Sequence, residues 1–113
     1  APEKGEILVF QYPRDTSRDF IKRVIATPGD TIEIKGGRVF VNDQMLTEDY
    51  ILEPTRSEYP KATVPEGTVF VMGDNRNNSE DSRFADVGFV PYKLIKGKAV
   101  LVFWPFSAFK TLP

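Results

Sequence analysis

Apolar and polar positions alternate along this chain with the period of a β-strand, and no stretch of useful length carries a helical period. Ile7-Leu8-Val9-Phe10 is a short apolar run closed by Tyr12-Pro13 and reads as a buried strand. Arg14 to Asp19 is polar and reads as a connecting loop. Strand character resumes from Phe20 to Ile25, and Pro28-Gly29-Asp30 is a turn signal. Thr31 to Lys35 and Arg38 to Val41 flank Gly36-Gly37, the clearest hairpin in the chain. A two-residue turn there sets Ile34 opposite Val39 and Ile32 opposite Val41 on one side. Lys35 and Arg38 then share the other side.

Residues 43 to 63 are polar and carry Pro54 and Pro60, which predicts a long loop with one short strand. Pro65-Glu66-Gly67 is a further turn, Thr68 to Met72 a strand, and Gly73 to Arg83 an irregular polar loop. Leu94 to Trp104 reads as a last long strand interrupted by Gly97. The predicted fold class is mainly β, a twisted antiparallel barrel or pair of packed sheets with long loops and little helix. The aromatics of Val100 to Phe109 fit the interior of such a fold, and fit a lipid interface less well.

Composition narrows the chemistry. The chain has 113 residues, the length of a single domain over 1–113. Its net charge of −1 gives no electrostatic reason to expect nucleic acid. There are no cysteines, which excludes disulfides and thiolate chemistry. There are also no histidines, so a Ser-His-Asp triad is impossible. Acid–base work near neutral pH must fall to a carboxylate, a tyrosine or a lysine with a lowered pKa. No run of roughly 18 apolar residues is present that would span a membrane as a helix.

Two places can carry such chemistry. In a strand, Phe20, Lys22, Val24 and Ala26 share a face, so Lys22 sits among apolar neighbours. Burial disfavours an ammonium and lowers its pKa, and a neutral lysine can take a proton from a serine hydroxyl. A solvated strand-edge lysine is the plainer alternative, and Arg23 on the opposite face is equally open to either reading. The second place is Gly73-Asp74-Asn75-Arg76-Asn77-Asn78-Ser79-Glu80-Asp81-Ser82-Arg83. It is dense in side chains that bond their own backbone, and Asp81 and Arg83 can pair across a tight bend. Its plainer alternative is a solvated surface loop.

These pieces, in this order, resemble the type I signal peptidases of bacteria over nearly the whole chain. Lys4-Gly5-Glu6-Ile7-Leu8-Val9-Phe10 is similar to that family's first strand motif after its nucleophile. Phe20-Ile21-Lys22-Arg23-Val24-Ile25-Ala26-Thr27-Pro28-Gly29-Asp30 is similar to the block that carries its general base. Gly73 to Arg83 is similar to the block that closes its active site, and this is the most specific match.

The resemblance implies a serine–lysine endopeptidase that removes signal peptides from secretory precursors after small-x-small sites. It implies Lys22 as general base, with Ser79 orienting its amine and the Gly73 backbone assisting. Asp81 and Arg83 would form a structural ion pair, and Asp74 and Arg76 would be structural as well. Val9, Phe20 and Ile21 would line shallow pockets for small substrate side chains. It implies no metal and no cofactor. The expected partners are the signal-peptide region of precursors and a membrane surface, with the domain on the extracytoplasmic side.

The chain departs from the family pattern at Ala26-Thr27, where Gly-Leu is usual, and in its nucleophile. The Ser-Met-x-Pro-Thr segment precedes the first strand motif, and none of Ser17, Ser57, Ser79, Ser82 or Ser107 has that context. The expectation is therefore a catalytic core truncated at its N-terminus and inactive alone. Its uncovered sheet edge would invite self-association or a covering segment. A non-catalytic signal-peptide binder or secretion scaffold is the alternative. The self-cleaving repressors, which share a serine–lysine dyad, lack the Gly73 to Arg83 pattern.

Overall fold

The computed structural model describes residues 1–47 and 55–99. Nine strands follow one another: β1 (Ile7–Tyr12), β2 (Asp15–Ala26), β3 (Thr31–Lys35), β4 (Arg38–Val41), β5 (Gln44–Met45), β6 (Tyr59–Thr63), β7 (Thr68–Met72), β8 (Val90–Pro91) and β9 (Ile95–Lys98). They form a five-stranded sheet in the order β8-β7-β2-β1-β9 and a four-stranded sheet in the order β5-β4-β3-β6. Every pairing is antiparallel, and no α-helix occurs among the described residues. The mainly β reading of the sequence holds.

The pleat of β7 shows how the core is divided. Phe70 and Met72 point to one side, where they pack with Ile32, Ile34, Val39 and Val41 of the smaller sheet. Val69 and Val71 point to the other side, against Leu8, Phe10, Val24, Val87 and Val90. The larger sheet is thus covered on both faces, and its central strands are apolar on both. Ile25 and Ala26 are neighbours in β2, yet both join the first cluster. A β-bulge makes this possible: the register with β7 shifts between Val24 and Ala26.

The hairpin at Gly36-Gly37 has the predicted pairing, Ile34 with Val39, Ile32 with Val41 and Lys35 with Arg38. Both glycines take positive φ (57° and 78°), the geometry of a turn whose twist matches the strands it joins.

The structure differs from the sequence reading between Arg14 and Asp19. After a turn at Pro13-Arg14 the stretch belongs to β2, which starts at Asp15 and folds straight back on β1, with Tyr12 opposite Asp15 and Gln11 opposite Asp19. Its side chains are exposed, so the polar composition reports solvent on the hairpin tip and not an irregular backbone. Two short strands, β5 and β6, fall within the stretch read as a loop over 43 to 63. Of the last strand expected over Leu94 to Trp104, the described residues hold Ile95–Lys98 beside β1, with Gly97 opposite Val9. The aromatic stretch Val100 to Phe109 lies outside the described residues.

Asp30 ties three parts of the chain together at the β2–β3 turn. Its carboxylate accepts from the Thr27 backbone N–H (2.9 Å), the Thr27 hydroxyl (3.0 Å) and the Asn42 side-chain amide (2.9 Å), and it pairs with Lys4 (3.2 Å). Burial pushes its pKa up, but these donors outweigh burial and bring it down from 3.8 to about 2. A carboxylate depressed in the folded state stabilises above its unfolded pKa and loses that contribution as pH falls through the folded one. Asp30→Ala should therefore cost about 2 kcal/mol at neutral pH. The difference from the unmodified chain should shrink as pH falls from about 4 towards about 2, as read by urea unfolding at several pH values.

Candidate active site

Strand β2 and the loop that leaves β7 meet at a lysine and a serine. Lys22 is 5% exposed although it ends in a charge-bearing amine, because the strand turns its side chain inward beside Phe20. Its Nζ donates to Ser79 Oγ at 2.9 Å and lies 5.4 Å from the centre of the Phe20 ring. Burial lowers the Lys22 pKa below the ordinary 10.5, opposed by the negative charges of Asp81 and Glu80 and aided by Arg83. The pair is separated by 57 residues in sequence and is brought together by the pairing of β2 with β7.

The Ser79 loop has a single 3-10 turn, Arg76–Asn78, and is otherwise irregular. Side chains fix its shape. Asp81 accepts from the Gly73 N–H (3.0 Å) and from Arg83 Nε and Nη2 (both 2.7 Å). The Asp81 and Arg83 side chains are 0% and 2% exposed, so this is a fork-to-carboxylate pair in a dry setting. Arg83 also donates to Ser57 Oγ at 3.0 Å. Ser82 extends the β7 ladder by one rung: its backbone N–H donates to Val71 O at 3.1 Å and its hydroxyl accepts from the Val71 N–H at 2.8 Å. Arg76, itself buried, donates from Nε to Gly73 O at 2.8 Å.

A second anchor comes from the other face of β2. Arg23 grips Asp74 through two parallel bonds, Nε to Oδ1 at 3.0 Å and Nη2 to Oδ2 at 2.8 Å, and donates from Nη1 to Gly5 O at 3.0 Å. Consecutive residues of one strand therefore hold the loop from opposite sides. The sequence leaves Arg23 ambiguous, because its acceptor is 51 residues away.

A cleft of about 770 Å³ opens beside this pair. Phe20, Ile21 and Lys22 line it from β2, with Ser79, Glu80 and Phe84 on the facing side. Val9 does not line it: it pairs with Ile21 from β1, one strand further from the loop that forms the facing wall. Gly73 bonds Asp81 and Arg76 and so supports Lys22 through the loop.

Three further residues shape the site without any signal in the sequence pattern. Tyr12 stacks on Phe20 (4.6 Å between centres, 11° between planes) and donates its hydroxyl to Asp86 at 2.7 Å. That contact closes the hairpin against the segment following Arg83 and backs the ring beneath Lys22. Phe84 is 45% exposed at the rim of the cleft, where nothing in its sequence neighbourhood separates it from a core aromatic.

Because both ends of the Asp81–Arg83 pair are buried, removing one strands the other. Asp81→Ala leaves the Arg83 guanidinium and the Gly73 N–H without their acceptor and should cost about 3 kcal/mol. Denaturant unfolding reads the loss, and an NMR titration should show the Lys22 pKa falling further below 10.5, because a negative charge that opposes the effect of burial is gone.

A family model described as signal peptidase, peptidase S26, matches residues 1–104. The chain is 48% identical to a probable signal peptidase I-1 of Synechocystis sp., covering 94% of this chain and 57% of that one. It is 42% identical to thylakoidal processing peptidase 1, chloroplastic, of Arabidopsis thaliana, over 92% of this chain and 33% of that one. The chain thus spans about half the length, or less, of these curated relatives. Among solved structures, a signal peptidase I from Enterococcus faecalis superposes with a TM-score of 0.78 at 31% identity, covering 88% of this chain and 97% of that one. With the fold, the lysine strand and the loop all in agreement, the chain belongs to the signal peptidase family, peptidase S26.

Proposed function

We propose that this chain is the core of a serine–lysine endopeptidase that cleaves signal peptides from secretory precursors after small-x-small sites, with Lys22 as its general base. The observation that carries the reading is the 2.9 Å contact between a buried lysine amine and the Ser79 hydroxyl, set in an open cleft. Ser79 holds the amine in place, and the attacking hydroxyl comes from a Ser-Met-x-Pro-Thr segment of the family type, outside these 113 residues. Without such a segment the chain does not turn over substrate.

The neutral amine of Lys22 takes the proton of the attacking serine as its oxygen adds to the scissile carbonyl. It returns that proton to the departing amine, leaving an ester between the serine and the signal peptide. Water then attacks the ester, Lys22 again takes the proton, and the serine is regenerated. Phe20 and Ile21 form a shallow wall beside the extended substrate, which admits only small side chains. The substrate emerges from a membrane, which places the domain at a membrane surface on the extracytoplasmic side. No helix among the described residues is long and apolar enough to cross one.

In a chain that carries such a serine segment ahead of residue 1, Lys22→Met should reduce cleavage of a signal-peptide substrate by at least about a thousandfold with the fold unchanged. Retained cleavage would rule Lys22 out as base. Ser79→Ala should slow cleavage by about ten- to a hundredfold, the loss expected when a base is no longer held in line. Complete loss would instead mark Ser79 as the nucleophile. Because the base works unprotonated and burial lowers its pKa, kcat/KM should rise with pH through a midpoint below 10.5. A midpoint at the ordinary lysine value would mean a solvated amine.

A further inference from the structure

Behind Ser79, on the side away from β2, lies a second cavity of about 290 Å³. Arg56, Ser57, Arg76 and Arg83 give it a polar wall. It shares Asn77, Ser79 and Phe84 with the main cleft, so the two spaces adjoin along the line of those residues. Phe20, Ile21 and Lys22 line only the main cleft.

Phe84 stands where the two spaces meet. It is one of two large apolar side chains that are exposed among the described residues, the other being Met45 on the remote β5. Its place is fixed. The Phe84 N–H donates to Asp81 O (3.0 Å), and its carbonyl accepts from the N–H groups of Val87 (3.1 Å) and Gly88 (2.9 Å). The Arg83 guanidinium, immobilised by Asp81 and Ser57, lies 5.5 Å from the centre of its ring. An aromatic on a fixed backbone with nearly half its surface in water, inside a cleft, has the form of a contact awaiting a partner.

We propose that Phe84 and the cavity behind Ser79 form a subsite for the peptide segment that follows the scissile bond. This inference rests on the proposed peptidase reading. If the residues before the bond lie along Phe20 and Ile21, an extended chain that passes Lys22 and Ser79 continues over Phe84 into the second cavity. Phe84 supplies its apolar contact, and the surrounding side chains offer hydrogen bonds to the peptide backbone. Phe84 is thus a specificity-determining residue for the leaving side of the substrate.

The test compares two peptides on the chain as it stands, by calorimetric titration and by NMR. One ends at the scissile residue of a small-x-small site as a C-terminal amide, and the other continues for four residues beyond it. The longer peptide should bind about fivefold more tightly and shift the backbone amide signals of Ser57 and Phe84. Phe84→Ala should remove that gain, bringing the two peptides to about the same affinity, and Phe84→Leu should keep part of it. Since the ring is half exposed, neither variant disturbs the core, which the NMR spectrum of the free chain checks. A gain that survives in Phe84→Ala, or the absence of a gain while the short peptide still binds, overturns the subsite alone. Failure of both peptides to bind overturns the peptidase reading along with it.

Discussion

The carboxylate of Asp81 anchors a loop that has almost no backbone ladder of its own. One buried anion accepts from the Gly73 amide at the loop's start and from the Arg83 fork at its end, and so draws the two together. Ser82 adds a rung to β7, and Asp74 is held by Arg23 from the neighbouring strand. The loop's shape is set mainly by side chains that bond to the neighbouring backbone or to one another. Ser79 inherits its position from that frame. Remove the frame and the hydroxyl has no reason to sit 2.9 Å from an amine on another strand.

Burying Lys22 opposes stability and changes the character of its amine at the same time. An ammonium withdrawn from water is penalised, so the amine is biased towards its neutral, basic form. Asp81 and Glu80 limit that bias by their negative charge. The loop that positions Ser79 therefore also tempers how far the amine's pKa falls. Phe20, stacked on Tyr12 and secured through Asp86, gives the amine an apolar neighbour instead of solvent.

What the sequence made legible and what it hid follow from the range of the interactions. The Gly36-Gly37 hairpin was readable to the residue, because two glycines and strict alternation specify it locally. Alternation put Lys22 on a face with Phe20, Val24 and Ala26 but left its amine open to solvent, and only the family resemblance turned it inward. The Gly73 to Arg83 loop was recognisable from its density of self-bonding side chains. The extension of β2 back to Asp15 was hidden, because a solvated hairpin tip and a loop have the same composition. The bulge after Val24 was hidden because Ile25 and Ala26 are apolar whichever way they point. Arg23 with Asp74 and Tyr12 with Asp86 are long-range pairs, and no local pattern chooses between candidate partners. Val9 was placed at the cleft by the family resemblance alone; it pairs with Ile21 from β1, while the facing wall comes from the loop on the far side of β2.

The 57-residue separation between Lys22 and Ser79 has a temporal meaning. While a nascent or denatured chain is open, the amine is an ordinary hydrated cation with no appetite for protons. Its pKa falls only after β7 has docked on β2 and carried the loop into place. The altered amine is thus a property of the assembled sheet and of neither strand alone, and the topology itself withholds it until the two have met.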